Sequence, residues 1–287
     1  MQNPVHHKRL LVVVLLLALS ALACQFSVGG TGGPAEVDLV ATRAALGATQ
    51  TALAAPPPQE SEAKEADQIP PVTFNGASLL PPPGWSFTAR TEPADEAFEA
   101  FWSTPEHDLF EAQGYPVTND YHAPAIRVFS VQGYSDFNEL AGERVSELRA
   151  LLEARPALPA GAPPFLPVFN AAQLAQAKVA FLDFQNGSGI RFLTQFGQAF
   201  WPFNNRGMVY AFIGLTDDGR YLVSALMPLA HPALDIYDDF QPADDFYDDA
   251  ETFLRGQVDM LNAQPDSSFL PSLELLDGLL ASVRVDK

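Results

Sequence analysis

Three short breaks between Ala177 and Met227 constrain the fold of this chain more than any other feature. Asn186-Gly187 and Asp217-Asp218-Gly219 have the composition of tight hairpin turns, because asparagine, aspartate and glycine accept backbone angles that other residues resist. Asn204-Asn205-Arg206-Gly207 is a third turn of similar make-up. Between them lie apolar segments with the character of strands, Ala177 to Asp183, Gly189 to Ala199, Met208 to Leu215 and Tyr221 to Met227. Strands joined by such short turns pair antiparallel, so this stretch predicts a four-strand meander. Met208 to Leu215 is apolar at alternate positions of both parities, which predicts a central strand covered on both sides.

Further strands are expected at Trp85 to Arg90 and Ala125 to Val131. Helical periodicity supplies their cover. From Phe137 to Leu152, the residues Phe137, Leu140, Ala141, Val145, Leu148 and Leu152 fall on one face, with Asp136 and Glu139 as a capped start. Asp244 to Leu261 places Phe246, Ala250, Phe253, Leu254, Val258 and Leu261 inward. A third helix is expected over Pro271 to Leu280, followed by a strand from Ala281 to Val285. The expectation is a single α+β domain over residues 72–287, an antiparallel sheet packed by helices. Leu79-Leu80-Pro81-Pro82-Pro83-Gly84-Trp85-Ser86-Phe87 near its start, with the helix feeding Ala281-Ser282-Val283-Arg284-Val285 at its end, resembles the PsbP-type α/β/α sandwich. That resemblance implies a fold and brings no functional residues with it.

The N-terminus reads as an address. His6, His7, Lys8 and Arg9 precede an apolar run from Leu10 to Leu19, and Ser20-Ala21-Leu22-Ala23 leads into Cys24. This run is short for a membrane-spanning helix. It resembles the signal peptide and lipobox of bacterial lipoproteins, with Ala21 where the family most often has leucine. The resemblance implies removal of residues 1–23, lipid on Cys24 and an extracytoplasmic domain held at a membrane or cell surface. Two acyl chains anchor stably where one does not. Cys24 is also the sole cysteine, so a lipidated chain would keep no thiol for catalysis, metal binding or disulfides.

Residues 24–71 read as the lipidated cysteine with a stalk and linker. Gly29-Gly30-Thr31-Gly32-Gly33-Pro34 is a flexible lead. A repeat then sets Leu39, Leu46 and Leu53 seven residues apart, either a short Ala-rich spacer helix or a self-associating stripe, and Pro56-Pro57-Pro58 end it. Such a stalk is similar in composition to those of surface lipoproteins. The whole chain carries a formal charge of −19, which becomes −21 once Lys8 and Arg9 are removed with the leader. A nucleic-acid partner is therefore not expected, since that binding depends on Lys and Arg neutralising phosphates.

Chemistry is sparsely signalled. His107, His122 and His231 have no metal-ligand spacing, and Gly187-Ser188-Gly189 is not the G-x-S-x-G of a hydrolase. Asp235, Asp238 and Asp239 open an acidic segment that runs to Glu251 without a cation. Its carboxylates could hold calcium or serve an envelope hydrolase, or they could form a solvated loop in which Asp244 and Asp245 start a helix. Phe192, Phe196 and Phe200 share one strand face, with Arg191, Gln195 and Trp201 on the other. Arg191, Phe192, Gln195, Phe196 and Trp201 are the candidate ligand residues, with core packing as the alternative. Pro163 to Phe169 reads as a lid or as cover for the sheet. The expectation is a non-enzymatic tethered domain that binds a protein partner or small ligand.

Overall fold

A computed structural model describes residues 69–95, 102–157, 159, 161–241, 243 and 246–287. The chain begins with a short hairpin, β1 (Val72–Phe74) and β2 (Ala77–Leu79), then β3 (Ser86–Glu92), β4 (His107–Gln113) and β5 (Ala125–Ser130). Two helices follow, α1 (Val131–Phe137) and α2 (Glu139–Ala154). The second half holds β6 (Ala172–Gln173), β7 (Ala177–Phe184), β8 (Gly187–Thr194), β9 (Phe196–Gly197), β10 (Val209–Thr216) and β11 (Tyr221–Pro228). It closes with a 3-10 turn at Pro232–Tyr237, α3 (Phe246–Ala263), α4 (Leu273–Ala281) and β12 (Arg284–Val285). The leader, Cys24, the stalk repeat, Asp244 and Asp245 lie outside the described residues.

The expected meander is present. β7, β8, β10 and β11 are neighbours in that order within a seven-stranded antiparallel sheet, β3-β4-β5-β11-β10-β8-β7. All eight residues of β10 are buried, as a strand covered on both faces requires. At the β8–β10 crossing Gly189 faces Gly214. A methyl group on Gly189 would meet the Phe212 ring at 2.4 Å, so this pair leaves room for aromatic rings to lie across the strands.

Helices lie on both faces. Ala141, Val145, Leu148 and Leu152 of α2 pack with Phe129, Ile190, Phe192, Ile213 and Leu222 on one side. On the other, Leu254 and Leu261 of α3 and Leu273, Leu276 and Leu280 of α4 pack with Val128, Tyr210, Phe212 and Val223. Each fully buried side chain of this size is worth roughly 1.5–3 kcal/mol, so two such layers dominate the stability of the sheet. The Pro163–Phe169 connection is used as cover: Phe165 and Leu166 are buried on the α2 side, and the Leu166 carbonyl accepts from the Ser224 hydroxyl.

Several expected boundaries change for local reasons. The first helix begins earlier and is broken at Asn138, whose extended backbone ends α1 and whose side chain caps α2 by accepting from the Ala141 amide at 3.3 Å. Asn138, rather than Asp136, is the cap. The strand expected from Gly189 to Ala199 stops at Thr194, because the Gln195 amide turns inward and Phe196–Gly197 pairs with β6 instead. Of the strand expected from Ala281 to Val285 only Arg284–Val285 forms, on β2, since Ala281 still belongs to α4. β4 was not anticipated, its sequence His-Asp-Leu-Phe-Glu-Ala-Gln lacking an apolar alternation.

Candidate functional site

The break after β8 creates the concave feature on which the candidate residues meet. Gln195 is buried and donates from Nε2 to the Pro202 carbonyl at 3.1 Å, while its Oε1 accepts from the Asn204 amide at 3.2 Å. Asn204 repeats the device one turn on, accepting from the amides of Arg206 at 3.1 Å and Gly207 at 2.9 Å. From α3, Gln257 clamps the same loop, its Oε1 accepting from Phe203 N–H at 2.7 Å and its Nε2 donating to Phe203 C=O at 3.1 Å. Side-chain amides thus replace the strand ladder where β8 ends, and buried backbone groups stay satisfied.

Against this loop lies the acidic turn. The Asn205 amide donates to Asp238 Oδ1 at 2.7 Å, and its side-chain Nδ2 donates to Asp235 Oδ1 at 2.8 Å and to Asp238 Oδ2 at 3.3 Å. Asp235 and Asp238 therefore converge on the Asn205 side-chain nitrogen, a donor that stands where a cation between them would have to sit. Asp239 is fully exposed, with its nearest cation, Arg206 Nη1, at 3.9 Å. Arg206 Nε donates to Asp120 Oδ2 at 2.8 Å. Among the described residues no three metal-ligating side chains come together as a metal site would need.

Between the loop and the acidic turn is a cleft of about 340 Å³. Gln195, Phe196 and Trp201 line one side and Asp238, Asp239 and Phe240 the other, with Asp120, Tyr121 and Arg206 completing it. Trp201 meets Phe240 edge to face with ring centres 6.4 Å apart, and Tyr121 is 73% exposed, so aromatic faces border the opening. Its charge is net acidic, three aspartates against one arginine. Nearby, His122 packs between Phe169 and Phe196 at ring distances of 5.0 and 5.7 Å, and burial lowers its pKa to about 4.

Three of the five candidate ligand residues thus share this cleft, and two do not. Phe192 is wholly buried on the α2 side. Arg191 is closed in on the opposite side, between the loop after α3 and helix α4. Its guanidinium donates to the Lys178 carbonyl and to Asp266 Oδ2 at 3.2 Å, and its Nε is 3.4 Å from Asp277 Oδ1 without hydrogen-bond geometry. Tyr210 Oη donates to Asp277 at 2.8 Å. Burial raises the Asp277 pKa despite Arg191 and Tyr210. Burial acts the same way on Asp266, but the Lys178 hydrogen bond and the charges of Arg191 and Lys178 outweigh it and lower that group. Asp120, Tyr121 and Phe240 carry no local signal in the sequence, and Arg206 is legible there only as part of a turn; the folded sheet brings them together.

No protein-family model matches the chain, and no curated protein matches it.

Proposed function

We propose that this chain is a lipid-anchored extracytoplasmic protein whose domain binds a small, neutral, polyhydroxylated ligand, of the carbohydrate class, in the cleft between Trp201 and Asp239, without chemically altering it. The observation that carries the reading is the convergence of Gln195, Phe196 and Trp201 with Asp238, Asp239 and Phe240 on one concave surface. Aromatic faces offer apolar contact to the C–H side of a sugar ring, while carboxylate, guanidinium and amide groups at the rim take hydroxyl hydrogen bonds. A few directed polar groups in a cleft bordered by aromatics is the usual make-up of a small-molecule site. The acidic balance of the cleft disfavours anionic ligands. The anchor part of the reading rests on the residues around Cys24, and the helices on both faces of the sheet support the PsbP-type likeness as a matter of fold.

Titration of the protein with a panel of neutral and charged saccharides, followed by tryptophan fluorescence, tests the ligand class. Saturable quenching by neutral sugars that Trp201→Ala removes is the expected result. No response to any saccharide, or a response that persists in Trp201→Ala, would refute it. Incorporation of a fatty-acid analogue that disappears in Cys24→Ala tests the anchor separately.

A further inference from the structure

The tip of the β1–β2 hairpin and the residues that follow β12 meet at one buried carboxylate. β12 pairs antiparallel with β2, Arg284 facing Ser78 and Val285 facing Ala77, and the Asp286 amide then donates to the Gly76 carbonyl at 2.7 Å. One step further, the same register sets Lys287 opposite Asn75, and residues directly opposite on an antiparallel pair have Cβ atoms roughly 4.5–5.5 Å apart. Only glycine permits this approach at position 76. A Cβ there would lie 2.6 Å from the Asp286 carbonyl oxygen and 3.2 Å from Lys287 Cγ, and the φ of +76° is one that side chains resist.

Asp108 of β4 joins the two side chains. It is buried, its Oδ1 accepts from Asn75 Nδ2 at 3.0 Å, and its Oδ2 pairs with the Lys287 ammonium. The two oxygens of a single carboxylate thus bring the amine and the amide together. Asn75 Nδ2 also donates to Thr91 Oγ1 at 3.3 Å, which turns the amide nitrogen, not its oxygen, toward Asp108. The Lys287 side chain is only 20% exposed, its Nζ lies 5.6 Å from the centre of the Tyr221 ring, and its carbonyl accepts from Arg220 Nη2 at 3.1 Å, so the residue is held at both ends. A nucleophile, an acyl group and a proton carrier are therefore assembled in one place, with the carrier in reach of both nitrogens.

We propose that the chain joins Lys287 to Asn75 by an isopeptide bond that it forms on itself, with Asp108 as the catalytic proton carrier. Asp108 takes a proton from the Lys287 ammonium, a transfer that shielding from water assists because burial penalises separated charges. The freed lone pair attacks Asn75 Cγ. The Nζ–Cγ bond forms and the Cγ–Nδ2 bond breaks, while two protons in all pass from Nζ to Nδ2 through Asp108. Nitrogen departs as ammonium at the exposed hairpin tip, and the carboxylate is restored. The step consumes no oxidant, reductant or second substrate. Its product ties the first hairpin to the last strand, the elements whose pairing makes the small sheet β1-β2-β12.

The test takes the full-length chain, unfolds it in guanidinium chloride and digests it with trypsin for tandem mass spectrometry. The expected product is a branched peptide, residues 65–90 joined through Asn75 to Val285-Asp286-Lys287, lighter than the two pieces together by one ammonia. Lys287→Arg keeps the charge beside Asp108 but offers no amine, and should give linear peptides alone. Asp108→Asn keeps the shape without the proton carrier, and should lower the linked fraction by roughly tenfold or more. A cooperative melt of each variant shows that it is folded. Linear peptides with Asn75 and Lys287 intact as the only products of the parent, or ammonia lost instead to a succinimide on the Gly76 nitrogen, would overturn the proposal. An unchanged linked fraction in folded Asp108→Asn would overturn the role given to Asp108.

Discussion

Replacing Arg191 by methionine is the substitution whose outcome the structure fixes most firmly. The arginine side chain is 7% exposed and lies between Asp266 and Asp277, which are 33% and 27% exposed. Methionine fills much of the same volume and removes only the charge and donors. Asp266 would keep Lys178, at 2.8 Å, and Asp277 would keep the Tyr210 hydroxyl at 2.8 Å. Breaking a buried pair by deleting one member costs about 3–5 kcal/mol, chiefly because a charge is left behind. These surviving partners, and the ability of Asp277 to take up a proton, place the cost at the low end, about 3 kcal/mol. For a domain of this size that is a fall of roughly 6–12 °C in melting temperature.

The effect should also depend on pH in a defined direction. The Asp277 carboxyl already has a raised pKa, and losing Arg191 raises it further. A group raised on folding contributes stability below its unfolded pKa and loses it as pH rises through the folded value. The deficit of Arg191→Met should thus be larger at neutral pH than in mild acid. Urea unfolding at both pH values, with Asp277→Leu and the double variant completing a cycle, measures it. A coupling energy above about 1 kcal/mol is expected for groups in direct contact. A stability within 1 kcal/mol of the parent, joined to loss of ligand binding, would show Arg191 to be a ligand group and refute the structural role.

Other outcomes follow from the same geometry. His122, lowered to about 4 by burial, makes the unfolded chain the better proton binder between about 6.5 and 4, so stability falls as pH falls through that window. Allowing for its partial exposure, His122→Phe should remove about 2 kcal/mol of that fall, and parallel unfolding curves against pH in the two proteins would contradict it. Gln257→Leu strands the buried N–H and C=O of Phe203 and should cost about 2–4 kcal/mol by urea unfolding, while a neutral result would mean that the loop does not depend on the clamp. Since Asn205 already engages Asp235 and Asp238, millimolar calcium should move the melting temperature by less than about 1 °C; a rise of several degrees would indicate a bound ion.

What the sequence disclosed about the fold follows from how local each cause is. The meander was legible because its turns are encoded by adjacent residues, Asn186-Gly187 and Asp217-Asp218-Gly219, and because β10 is apolar at both parities. β4 was not, since His107 and Asp108 are buried polar residues whose tolerance depends on distant partners, Phe129 for the ring and Asn75 and Lys287 for the carboxylate. The break in the first helix was equally hidden. Asn138 ends one helix and caps the next while its Nδ2 donates to the Ser103 carbonyl at 3.1 Å, a contact across 35 positions.

The candidate sites mark the limit of alternation more sharply. Parity along β8 placed Phe192 and Arg191 on opposite faces, as they are, but parity carries no information on depth. What sinks Arg191 is a pair of aspartates, Asp266 from the loop after α3 and Asp277 from α4, which pack on that face. Arg127 gives the converse lesson. In Ala-Ile-Arg-Val-Phe-Ser it stands opposite in parity to Ile126 and Val128, which on a one-faced sheet would put it in water. Here both faces are covered, so the same parity carries the guanidinium onto the α2 side, beside a stacked histidine and with no carboxylate paired to it among the described residues. A strand pattern with one internal cation therefore means a solvated position in a one-faced sheet and an enclosed one in a two-faced sheet, where Arg191 meets two aspartates and Arg127 no hydrogen-bond partner among the described residues. The decision between them lies with the helices that follow, more than the strand itself.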